Sequence, residues 1–214
     1  MRKFEEWIQK NCSIDDDFYF IQIGANDGVS DGGEDPDPIH SHILKFNWAG
    51  ILVEPVKYIY EELRRTYASQ SNLHFENSAL NMNSGSRNIY RLRKTDDPLP
   101  WFYEKLATFH KDVLIKHKVF IPNILNYIVE EQITCITFDE LIRRYNVQKI
   151  DLLVIDTEGH DYEILKTINF NYLRPKAIFL EHFHLNKDEL AECKDLLKKN
   201  CYKLHLSERD IFAC

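Results

Sequence analysis

The chain reads as a single α/β domain with a mostly parallel sheet and helices on both faces. Three observations predict this. Short apolar runs at 18–23, 50–54, 73–76, 149–156 and 176–181 have the length and the Val, Ile, Leu and Phe content of strands buried on both faces. Segments of helical period separate most of them, as crossovers between parallel strands require. The end of the chain, at 201–206 and 210–214, reads instead as two short strands able to close the sheet as an antiparallel pair.

The elements follow in order. Phe4, Trp7 and Ile8 recur at helical spacing within 2–11, which predicts an amphipathic helix packed on the sheet. Strand one, Phe18 to Ile23, runs into Gly24-Ala25-Asn26-Asp27-Gly28, a strand-to-turn crossover of the nucleotide-binding kind. Ser30 to Ser41 is rich in Gly, Pro and acid and reads as an insertion, either a lid beside a ligand or a solvated loop. A helix is expected from Pro38 to Phe46 and a strand at 50–54. Ile59, Leu63 and Tyr67 then give 56–67 a helical period. Strand three is 73–76, and 85–92 is a further strand. Residues 95–131 show no period, carry Pro98, Pro100 and Pro122, and are expected to form an excursion over the acceptor side of a pocket. A strand at 133–137, a helix at 138–145 capped by Thr137, strands at 149–156 and 176–181, and helices at 161–168 and 186–199 complete the pattern.

Composition narrows the function classes. The 214 residues suffice for one core and give no internal boundary, so residues 1–214 are expected to be one domain. A net charge of −7 argues against a nucleic-acid surface, which needs a basic face. No apolar run reaches the roughly 18 residues of a membrane span, and the charged N-terminus is no signal peptide. The five scattered cysteines, Cys12, Cys135, Cys193, Cys201 and Cys214, fit reduced thiols. A cytoplasmic enzyme is expected, with no nucleic-acid or membrane partner and with homodimerisation left open.

The ligand follows from charge. Gly24 and Gly28 give G-x-x-x-G rather than the G-x-G-x-x-G of a dinucleotide fold, and Asp27 in the turn opposes a pyrophosphate. An acid there suits a ligand with a positive centre, such as S-adenosyl-L-methionine. Glu54, at the end of the second strand, is placed to accept hydrogen bonds from ribose hydroxyls. Its blander role is to cap a turn before Pro55. Gln22, Gly24, Ala25, Asn26, Asp27, Gly28, Glu54, Pro55, Asn77, Ser78, Ala79 and Asp156 are the candidate cofactor-binding residues.

With these residues in place, the chain resembles the FkbM family of class I methyltransferases. The resemblance rests on Ile21 to Gly28, Trp48 to Pro55, Thr137 to Leu141 and Ile155 to Asp161, with Asp156-Thr157-Glu158-Gly159-His160 the most specific run. It implies a seven-stranded Rossmann-like sheet, S-adenosyl-L-methionine as cofactor, and methylation of a hydroxyl on a sugar or other small molecule. It does not fix the acceptor.

An alcohol must lose its proton during transfer to a base within reach. The ends of the fourth and fifth parallel strands offer Asp156, Glu158, His160, Glu181 and His182. His160 is favoured because imidazole titrates near neutrality. Glu158 and His160 can equally serve only the start of the following helix. Asp156, Glu158 and His160, with His182, are also a conceivable metal set, but their spacing matches no recognisable site, so no metal is expected. Two other functions stay open: a nicotinamide or sugar-nucleotide enzyme, and a binding module that has lost its chemistry.

Overall fold

A computed structural model describes residues 2–12, 17–29 and 37–214. Residues 30–36, the larger part of the expected Gly- and Pro-rich insertion, lie outside the described residues. Among those described, no helix is long and apolar enough to cross a membrane.

The main sheet has seven strands. Five are parallel: β1 (Tyr19–Ile23), β2 (Ala49–Val53), β3 (Leu73–Glu76), β8 (Leu152–Ile155) and β9 (Ala177–Glu181). The C-terminal strands β10 (Leu204–Leu206) and β11 (Asp210–Ala213) pair antiparallel, and β11 lies antiparallel to β9. The order β10-β11-β9-β8-β1-β2-β3 makes the chain wind one way from β1 to β3 and the other way from β8 to β9. A crevice therefore opens between β1 and β8 at their carboxyl ends, where ligands of doubly wound sheets bind.

Alternation along the strands divides the core in two. Ile21, Ile23, Ile51, Val53, Leu153, Ile155, Ile178 and Leu180 face one side. There they pack on α5 (Phe138–Arg144), α6 (Asp161–Lys166) and α7 (Lys187–Lys199). Phe20, Leu52, Leu152, Val154, Ala177 and Phe179 face the other side. That side is covered by α1 (Arg2–Asn11), α2 (His40–Phe46) and α3 (Lys57–Thr66). With both alternating faces of the central strands mostly apolar, the sequence shows near-continuous hydrophobic runs there. Thr137 caps α5 as expected, its hydroxyl accepting from the Glu140 N–H at 3.1 Å.

Two features depart from the expected plan. A second sheet of four strands stands beside the first, in the order β4-β7-β5-β6. It comprises β4 (Ala79–Leu80), β5 (Gly85–Leu92), β6 (Ala107–Thr108) and β7 (Ile128–Ile136). The strand expected at 133–137 thus begins at Ile128, five residues earlier. Its first half, Ile128-Val129-Glu130-Glu131-Gln132, is partly exposed and polar, and it is held by pairing to β5 from Ile128↔Leu92 to Cys135↔Gly85. The region 95–127 between them contains short 3-10 turns at 101–105, 117–119 and 124–126 and the six-residue α4 (Lys111–Lys116), too short to show a period. It has its own small core of Leu92, Tyr103, Leu106, Leu114, Ile121 and Ile124.

Candidate functional site

A cavity of about 590 Å³ lies over the carboxyl ends of β1, β2, β8 and β9. This is the size of a small-molecule pocket. Its floor is formed by strand ends, and its far wall by the excursion, through Phe102, Lys105, Thr108, Phe109, His117 and Phe120.

The glycine turn builds one wall. Gly24 has φ +81°, and a Cβ there would lie 1.7 Å from the Asp156 carbonyl oxygen. Gly28 has φ +68°, and its Cβ would sit 2.4 Å from the Tyr67 ring. Both glycines are therefore demanded by the protein's own packing against β8 and α3, as well as by backbone sterics. Between them Asn26, at φ +48°, directs its N–H to Glu54 Oε2 at 3.1 Å.

Glu54 is buried. Its second oxygen accepts from the Val56 N–H at 2.8 Å. Burial pushes its carboxyl up to about 7 against the pull of these two backbone donors, with Asp27 adding to the rise. Each oxygen of a carboxylate accepts more than one hydrogen bond, so Glu54 retains acceptor capacity toward the cavity it lines. Asp27 is no isolated charge: Lys105 Nζ is 3.2 Å from its Oδ2. That cation weakens the charge argument against a phosphate. Gln22 donates to Asp37 at 2.6 Å and leaves Oε1 unpartnered.

Asn77 does not line the cavity. Its amide donates to the carbonyls of Glu54 and Pro55 at 2.9 and 3.0 Å, so it shapes the strand-end turn rather than facing a ligand. Ser78, Ala79 and Pro55 do line it.

The opposite wall comes from the turns after β8 and β9. Asp156 is exposed on the cavity. Glu158 is in the left-handed region at φ +53°, a strained conformation for a residue with a Cβ. Three bonds hold it there. Asp161 accepts from the N–H groups of Thr157 at 2.9 Å and Gly159 at 3.0 Å, and Thr108 from the excursion donates to the Glu158 carbonyl at 2.7 Å. Burial pushes Asp161 up to about 6.

His160 lines the cavity, is 6% exposed, and has no hydrogen-bond partner at either ring nitrogen. Burial, with His110 next in effect, pulls its imidazole down to about 4, so it stays neutral near pH 7. Glu181 Oε1 is 3.0 Å from Arg209, and its carboxyl is raised by burial and by the nearby Glu158 and Asp161.

His182 does not line the cavity; its ring lies 3.3 Å from the Ser207 carbonyl. His184 lines it instead, 3.0 Å from Glu158 and 3.9 Å from Glu181. Burial lowers the His184 pKa, but Glu158 outweighs burial and holds it above its ordinary value. His182 is expected from its place at the end of β9; the turn that follows breaks the strand's alternation and brings Phe183 and His184 to the cavity instead. Sequence reading also missed Lys105, Thr108, His117 and Arg209. They come from an aperiodic region and from the closing hairpin, and no local pattern marks them.

Asp156, Glu158, His160 and His182 do not gather as a ligand set. Among the described residues the group that does is His117, Glu158 and His184, with one ligand atom of each within 4.8 Å of the others.

The chain matches the family model for the methyltransferase FkbM domain over residues 22–204. It is similar in fold to the structure of the methyltransferase FkbM from Methylobacillus flagellatus KT, with a TM-score of 0.57 and 14% identity. That similarity covers 94% of this chain and 44% of the other, so the chain spans less than half of that protein. A precorrin-6y C5,15-methyltransferase from Geobacter metallireducens GS-15 aligns with a TM-score of 0.47 and 11% identity, over 99% of this chain and 86% of that one. A search of curated proteins returned no significant match.

Proposed function

The chain belongs to the FkbM methyltransferase family, and from that premise we propose that it transfers a methyl group from S-adenosyl-L-methionine to a hydroxyl of a small molecule such as a sugar. One observation carries the reading. Of the ten buried polar side-chain atoms without a hydrogen-bond partner among the described residues, eight belong to residues lining this one cavity. Buried polar groups are normally satisfied, so their concentration here points to a polar ligand.

The residues present fit the cofactor. Glu54 accepts the ribose hydroxyls, and Ser78, Ala79 and Leu80 lie on the cavity wall after β3, beside the place for a base. The unpartnered Gln22 Oε1 suits the cationic end. When bound, S-adenosyl-L-methionine supplies a methyl group already activated by its sulfonium. What the protein adds is alignment, worth up to about 7–11 kcal/mol in well-oriented reactions, and a proton acceptor. His160 holds that second role, because it is neutral and both its nitrogens are unengaged. Burial makes it a weaker base than the near-neutral imidazole expected from sequence, so the assignment rests on its place in the cavity wall and its unpartnered nitrogens.

Calorimetric titration with S-adenosylhomocysteine, beside NAD as control, tests the cofactor. Binding of the first alone, lost in Glu54→Ala, is the expected result; binding of NAD alone would replace this reading with a nicotinamide enzyme. For catalysis, labelled cofactor and a panel of sugars and other alcohols should give a labelled product. His160→Ala should then lose at least about a hundredfold in kcat with cofactor affinity kept, and near-normal turnover would remove His160 from the role.

A further inference from the structure

His117, Glu158 and His184 come from three separate segments: a 3-10 turn of the excursion, the strained turn after β8 and the turn after β9. All three line the cavity. From their convergence we propose that His117, Glu158 and His184 form a binding site for a divalent transition-metal ion in the cavity wall.

Two imidazoles and one carboxylate are the donor set of open sites, which hold the metal by three protein ligands and leave a position for a substrate oxygen. This mixture favours zinc or iron over magnesium and calcium, which take mostly oxygen. His117 also has unused capacity. His117 Nε2 is buried without a partner, and His184, whose side chain is only 4% exposed, turns its Nε2 to Glu158 at 3.0 Å. An imidazole buried without a partner is costly unless something occupies its lone pair.

The surroundings are arranged to support the set. Gly159 is what allows His184 to come so near the turn, since a Cβ there would meet the His184 Cβ at 3.2 Å and Val113 at 3.3 Å. Thr108 anchors the Glu158 carbonyl, fixing the backbone of the central ligand from outside. Glu181, with Oε2 unpartnered and 3.9 Å from His184, sets a further carboxyl beside the site, its other oxygen 3.0 Å from Arg209. The group is wider than a loaded site, whose donors lie about 3.4 Å apart at zinc–nitrogen distances near 2.05 Å. His117 opens a three-residue turn, so loading requires its side chain to approach the other two.

The ion would displace the proton shared by His184 and Glu158. Its open position would face the cavity, where it can hold an acceptor oxygen and lower the pKa of a hydroxyl. This use of the site rests on the methyltransferase reading; the site itself does not.

The test is titration of metal-free full-length protein with Zn²⁺ and, separately, Mg²⁺ by calorimetry, with Co²⁺ absorption in the visible as a report on nitrogen ligation. One equivalent of Zn²⁺, with Mg²⁺ at least 100-fold weaker, is expected. His117→Ala and His184→Ala should each weaken Zn²⁺ at least 100-fold and change the Co²⁺ spectrum. Glu158→Gln, which keeps the shape, should weaken it at least tenfold, whereas His182→Ala should bind as wild type. Circular dichroism and retained S-adenosylhomocysteine binding identify variants that are folded. No stoichiometric Zn²⁺ in the wild type, or unchanged binding in folded His117→Ala, overturns the site. Zn²⁺ binding without S-adenosylhomocysteine binding would leave the site standing and overturn the methyltransferase reading alone.

Discussion

At the residue scale, the glycine turn and the acid after β2 carry most of the consequence. Gly24 has no room for a methyl group beside the Asp156 carbonyl, and its φ of +81° strains any other residue. Gly24→Ala should cost about 3 kcal/mol or more, read as a fall in the urea midpoint with the slope unchanged. The sequence marked this glycine as a place for a ligand to approach; the closest group is instead the protein's own β8. Glu54 has a different consequence. Its carboxyl titrates near 7 in the fold against an ordinary 4.5, so the fold prefers it protonated. The stability it contributes is complete below about 4.5 and is lost as pH rises through 7, a difference of about 3 kcal/mol. Ribose hydroxyls donate best to the ionised form. Affinity for S-adenosylhomocysteine should therefore rise between pH 5.5 and 7 by up to about tenfold per unit, then level off. Calorimetry across that range checks it, and a flat profile would remove Glu54 from the ligand contact.

Elements were legible where their period was long or their ends were chemically marked. The helix at 186–199 carries Leu190 and Leu197 in phase, and its start is fixed by Asn186, which accepts from the Asp188 and Glu189 N–H groups at 2.9 and 3.0 Å while Glu189 caps back. Asn186→Ala should cost about 1 kcal/mol in thermal unfolding and leave S-adenosylhomocysteine affinity unchanged, because α7 packs on the face of the sheet away from the ligand turn. The second sheet was not legible. The exposed first half of β7 is specified by its pairing with β5, including Arg91 with Glu131 and Asn88 with Glu130, and pairing partners 40 residues away leave no local trace.

At the scale of the whole molecule, the cavity joins parts of the chain from Gln22 to Asp210. A ligand that bridges them should stabilise the fold as a unit. S-adenosylhomocysteine at about 100 times its dissociation constant should add about 2.7 kcal/mol, seen as a rise in the thermal midpoint that NAD does not produce. The parallel sheet, the strand-end acids Glu54 and Asp156 and the family resemblance are written in local period and short contiguous motifs and can be read from the chain alone, whereas the strand order needs the fold. That Asn77 supports a turn, that His184 rather than His182 enters the cavity, that Lys105 pairs with Asp27, and that His117, Glu158 and His184 converge all follow from long-range packing. Those facts depend on how turns reverse direction and on which distant segments pack together, and neither is set by residues adjacent in sequence.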